Sequence, residues 1–96
     1  MANIETTPEI DIKELEDIDV SSLLHRELVV FNDDVNTFDH VIDSLIKVCK
    51  HEAVQAEQCT YIVHYQGKCQ VKRGDWDTLE PMCTALLDRG ITAEIQ

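Results

Sequence analysis

Four consecutive apolar residues, Leu28-Val29-Val30-Phe31, break off at Asn32-Asp33-Asp34. A short run rich in β-branched residues and closed by turn formers predicts a buried strand. Beyond it, Phe38, Val41, Ile42, Leu45 and Cys49 recur at three- and four-residue spacing. That is the stripe of an amphipathic helix from Thr37 to about Lys50, with Asn36 as N-cap and Asp39 set favourably against the helix dipole. A second helix is expected from about Glu52 to His64, with Ala53, Ala56, Thr60 and Val63 on one face and Gly67 closing it in a left-handed cap. Cys69-Gln70-Val71-Lys72 alternates and predicts a strand ended by Arg73-Gly74. Asp75 or Asp77 then caps a third helix, whose stripe is Trp76, Leu79, Met82, Cys83 and Leu86 and whose stop is Gly90. Pro81 is comfortable only in a first turn, so this helix either starts near Thr78 or bends at Pro81. Ile91 to Ile95 is the last strand.

The order is β-α-α-β-α-β. Three strands that each need a covered face, with three helices to cover it, imply an α+β two-layer sandwich on a three-stranded sheet, expected to be antiparallel. Periodicity does not set the pairing order.

Charge divides the chain. Met1 to Leu24 carries Glu5, Glu9, Asp11, Glu14, Glu16, Asp17 and Asp19 against Lys13, with no glycine or aromatic. Such a segment is a poor source of core, and residues 1–27 are read as an acidic, disordered tail ahead of one domain at 28–96. The domain is itself anionic, with eleven acids against six Lys or Arg from Leu28 to Gln96. A nucleic-acid partner is excluded on that ground, since phosphate binding depends on Lys and Arg. No apolar stretch reaches the roughly 20 residues of a membrane span, and the start lacks the pattern of a signal peptide. A cytoplasmic protein with no membrane partner is the expectation. Cys49, Cys59, Cys69 and Cys83 sit inside apolar patterns and never as C-x-x-C, so they read as buried reduced thiols, with no metal or other cofactor expected.

The chemistry concentrates in two places. Asn32-Asp33-Asp34 offers amide and carboxylate acceptors, with no Lys or Arg between Leu28 and Ile46, and His64 adds an imidazole at the end of the second helix. Thr60 and His64 are four apart and therefore neighbours on its surface. These groups suit capture of a small cation such as a peptide α-ammonium, which presents three donors. On spacing alone, Asn-Asp-Asp is equally an ordinary turn and His64 an ordinary helix-end histidine.

The segments F-N-D-D, V-I-D-x-L and V-H-Y-Q-G-K resemble the ClpS family of Clp protease adaptors, over about Val29 to Gln96. The resemblance implies an adaptor, not an enzyme, that binds the N-terminal residue of N-degron substrates and delivers them to a AAA+ unfoldase, through the N-domain of a ClpA- or ClpC-type partner. It implies that Asn32, Asp33, Asp34 and His64 hold the substrate α-amino group. Asn36, Phe38, Val41, Thr60, Val63 and Ile95 fall at pocket-lining positions. Where the family often has T-P-M this chain reads Asn36-Thr37-Phe38, and Thr60 replaces a common methionine, so the larger Phe38 is expected to refill the volume that Thr60 opens. The acidic tail takes the family's delivery role.

An alternative from the same resemblance is a regulator that docks on the unfoldase N-domain and alters substrate choice without reading N-termini. A small hydrolase using Asp34 and His64 lacks a nucleophile, the only serines being Ser21, Ser22 and Ser44, and lacks the chain length to enclose a substrate. A ribosomal-type domain is disfavoured by the negative charge.

Overall fold

The computed structural model describes residues 25–96. The expected tail, residues 1–24 of it, lies outside the described residues. The elements are β1 (Arg26–Phe31), α1 (Phe38–Cys49), α2 (Ala53–Gln66), β2 (Lys68–Gly74), α3 (Trp76–Asp88) and β3 (Ala93–Ile95). This is the expected order, and the sheet is antiparallel, with spatial order β2-β1-β3. The sheet and three helices form an α+β two-layer sandwich.

The central place of β1 accounts for its unbroken apolar run. Leu28, Val29 and Val30 are all buried because hydrogen-bonded neighbours flank both edges and helices cover one face. Leu28 and Val30 join the main core with Val41, Leu45, Ala56, Val63, Val71, Leu79, Leu86 and Ile91. The strand begins at Arg26, two residues ahead of the boundary read from hydropathy. The backbone of Glu27 exchanges both of its hydrogen bonds with Gln96 at 2.8–2.9 Å, pairing that polarity does not report.

Other elements depart from expectation for identifiable reasons. Thr37, not Asn36, caps α1, its side chain accepting from the His40 N–H at 3.1 Å; Asn36 is drawn away by Asp33 and Gly90. The second helix continues past His64 to Gln66 before Gly67 ends it. Trp76 leaves the predicted stripe and is 51% exposed, with the Arg26 guanidinium 5.7 Å above its ring. Asp75 caps α3 by accepting from the Thr78 N–H at 2.9 Å. The helix then runs through Pro81 without its N–H. His51 is buried and donates from Nε2 to the Val71 carbonyl at 2.6 Å. The left-handed turn at Lys50 (φ 63°) brings the chain inward at that point.

All four cysteines are free. Burial pushes the Cys49 thiol up to about 11, and burial together with contact with Cys59 pushes Cys69 up to about 12. Both are protonated at neutral pH and correspondingly poor nucleophiles.

Candidate functional site

β1 delivers the chain into Asn32-Asp33-Asp34 where α2 ends. The Asn32 N–H donates to the Gly67 carbonyl at 2.9 Å, so the two segments singled out in the sequence are bonded through backbone. Gly67 makes this possible with φ 94°, its own N–H returning to the Val63 carbonyl. A Cβ there would meet nothing within 4 Å, so a side chain costs only backbone strain. Gly67→Ala should therefore destabilise the domain by about 1–2 kcal/mol. A urea titration would show a lower midpoint at unchanged slope; an unchanged midpoint would mean that the turn relaxes freely.

Asp33 is the most constrained acceptor. Its Oδ1 accepts from the Val35 and Asn36 backbone N–H groups at 3.0 Å each, and Asn36 Nδ2 donates to both Oδ1 and Oδ2 at 3.0 Å. Partial burial pushes the Asp33 carboxyl up. Hydrogen bonds from the Asn36 and Val35 backbone, the Asn36 side chain and the Thr92 hydroxyl outweigh that push and hold it below the ordinary 3.8. It is ionised at neutral pH, and both backbone donors go to Oδ1 while Oδ2 accepts from Asn36 Nδ2 alone, so Oδ2 keeps capacity for a further donor.

These residues border a cleft of about 190 Å³ between α1, α2 and the end of β1. Asn32, Asp33 and Asp34 form its polar lip. Asn36, Phe38 and Val41 line it from the α1 side, and Thr60, Val63 and His64 from α2. Thr60 Oγ1 donates to the Ala56 carbonyl at 2.8 Å, so its hydroxyl is spent within the helix and its methyl is left for apolar contact. His40 and His51 commit Nε2 to backbone carbonyls, whereas His64 is held by ring packing. Phe38 meets it edge to face at 4.9 Å and Tyr65 at 4.7 Å. Tyr61 braces Phe38 from the other side at 5.3 Å.

Ile95 is the exception among the expected lining positions. It pairs with Leu28 and lines a separate groove with Trp76 and Glu80. Because β3 runs antiparallel to β1, the start of the returning chain lies beside Phe31, where Phe31 N–H bonds the Thr92 carbonyl at 2.9 Å. Ile91 occupies the cleft wall instead. Val30, Phe31 and Thr37 also border the cleft without having been anticipated. The apolar Ile91 directly after the Gly90 stop was the available signal for that wall.

The family described as ATP-dependent Clp protease adaptor protein ClpS matches residues 25–94. The chain belongs to the ClpS family. A solved structure, that of Agrobacterium tumefaciens ClpS2 bound to L-phenylalaninamide, shares the fold with a TM-score of 0.68 at 19% identity, covering 75% of this chain and 96% of that one. As a ClpS protein the chain is a Clp protease adaptor, of a family that is not enzymatic. Among the described residues no helix is long and apolar enough to cross a membrane, and no cluster of three or more His, Cys, Asp or Glu side chains has metal-binding geometry.

Proposed function

We propose that this ClpS protein binds the first residue of N-degron substrates, a bulky hydrophobic residue with a free α-amino group, and delivers them to a AAA+ unfoldase of ClpA or ClpC type. The observation that carries the proposal is an ionised, hydrogen-bonded Asp33 at the lip of a cleft whose walls include Val41, Val63 and Ile91. An α-ammonium has a pKa near 7.7–8.0 and three donors. Asn32, Asp33 or Asp34, and His64 supply the matching acceptors. An apolar cavity of roughly 150 Å³ suffices for a benzene ring, so a cleft of about 190 Å³ has room for a leucine or phenylalanine side chain. L-Phenylalaninamide, the ligand in the ClpS2 complex, combines the same two features of free amine and bulky apolar side chain.

Charge-assisted hydrogen bonds contribute about 1.5–3 kcal/mol each, and burial of a Leu or Phe side chain about as much. Micromolar affinity requires about 8 kcal/mol after the cost of association. Neither the ammonium contacts nor the side-chain pocket reaches that alone, so first-residue type and free amine are jointly required. Titration with peptides differing only in residue one tests the proposal. Leu and Phe should bind and Gly or Asp should not, and His64→Ala should weaken the Leu peptide by about 1.5–3 kcal/mol. Equal binding of all first residues would sink the N-degron reading and leave docking on the unfoldase as the function.

Selectivity within the hydrophobic class rests on Phe38 and Thr60. The Phe38 ring is braced by Tyr61 and His64 and narrows the cleft on one side, while Thr60 opens it on another. Phe38→Ala should admit β-branched Ile and Val, and Thr60→Met should restrict binding to unbranched or aromatic first residues. Competition among Leu-, Phe-, Ile- and Val-initiated peptides reads both changes. An unchanged ranking in both variants would remove these residues from the pocket.

A further inference from the structure

The connection from α3 to β3, Arg89 to Thr92, reaches the cleft through one residue. Ile91 lines it, and the Gly90 carbonyl accepts from Asn36 Nδ2 at 2.9 Å. The same Nδ2 holds both oxygens of Asp33. A carboxylate and a carbonyl are both acceptors, so the Asn36 NH₂ and not its oxygen must face them.

Arg89 clamps this connection to α1. Its Nη2 donates to Asp43 Oδ2 and its Nε to Ser44 Oγ, both at 2.8 Å. Its carbonyl accepts from His40 Nε2 at 2.8 Å, and Ser44 Oγ in turn donates to the His40 carbonyl at 2.7 Å. Side chain and backbone of Arg89 are thus both tied to one turn of α1, and the next carbonyl along the chain is the one that Asn36 uses. The Arg89 and Asp43 side chains are 31% and 46% exposed. An ion pair in that setting contributes little to stability, so the main consequence of its geometry is placement.

We propose that Arg89 is a positioning residue of the amine site, fixing the Gly90 carbonyl so that Asn36 holds the Asp33 carboxylate at the lip of the cleft. The inference rests on the binding function proposed above for that site.

The test compares Arg89→Ala, Arg89→Lys, Asn36→Ala and the Arg89→Ala/Asn36→Ala double variant by two measurements. The first is a carbon-13 carboxyl titration of the ligand-free protein, in which Asp33 should move up towards its ordinary value in both alanine variants. The second is affinity for a free-amine Leu peptide. It should fall about tenfold in each single alanine variant and no further in the double variant, because the two residues act through one path. Arg89→Lys keeps the charge beside Asp43 but loses the fork, and should recover part of both signals.

Wild-type titration of Asp33 in Arg89→Ala, or losses that multiply in the double variant, would overturn the proposal. If Arg89→Ala does not fold, Arg89→Lys carries the same comparison. A wild-type protein indifferent to the free amine would refute the binding function, and the Asp33 titration would still decide whether Arg89 places that carboxylate.

Discussion

Acetylating the α-amine of a Phe- or Leu-initiated peptide should weaken its binding to this protein at least a hundredfold. Acetylation removes the positive charge and two of three donors, so at least two charge-assisted hydrogen bonds of about 1.5–3 kcal/mol each are lost. The loss is compounded at Asp33. Its carboxylate is already ionised and held by Asn36 and Val35, so it cannot swing away to water when the new amide offers no matching charge. A hundredfold corresponds to about 2.7 kcal/mol, just under the roughly 3 kcal/mol that two such bonds supply at the least. The same logic predicts a loss of up to about tenfold per pH unit above the amine's own pKa of 7.7–8.0. On the acid side Asp33 remains charged until the pH falls below 3.8, so its protonation does not limit binding at moderately acidic pH. Isothermal titration with the paired peptides measures the difference directly. Affinities within a factor of three would refute recognition of the amine.

Leu45→Ala should produce the largest loss of stability among single substitutions that leave the cleft residues in place. Leu45 is 0% exposed, belongs to the main core and lies in the middle of α1, the helix that carries Phe38 and Val41 to the cleft. A buried Leu→Ala change costs about 2–5 kcal/mol, from lost transfer energy and the cavity left behind. A domain of this size has in all about 4–11 kcal/mol of stability, so the variant sacrifices a large fraction of it. The melting temperature should drop by roughly 10–30 °C, with weaker peptide binding only once unfolding begins. Leu45→Met, which conserves volume, should cost less than about 1.5 kcal/mol. A melting temperature within 5 °C of wild type for Leu45→Ala would show that α1 does not depend on this anchor.

Much of the architecture was legible in the chain because it rests on local physics. The β1 run, the α1 stripe, the Asp75 cap and the left-handed Gly67 each follow from a few neighbouring residues. The lip and most of the cleft were legible for a different reason: V-H-Y-Q-G-K and F-N-D-D are segments whose combination points to ClpS, whereas their spacing alone does not exceed that of a turn and a helix end. Trp76 was misplaced because the residue that covers it, Arg26, lies in a part of β1 without apolar patterning.

Sequence by itself determined the elements, their order, the excess of acidic residues and the run of acceptor side chains at Asn32-Asp33-Asp34. Tertiary structure alone decided that β1 is the central strand, that Ile91 and not Ile95 lines the cleft, and that Asn36 holds Asp33 rather than capping a helix. The reason is range. Caps, stripes and turns depend on contacts within about one helical turn, whereas antiparallel pairing sets which end of β3 meets Phe31, and the Asn36–Gly90 bond spans 54 positions. No local pattern encodes contacts at that separation.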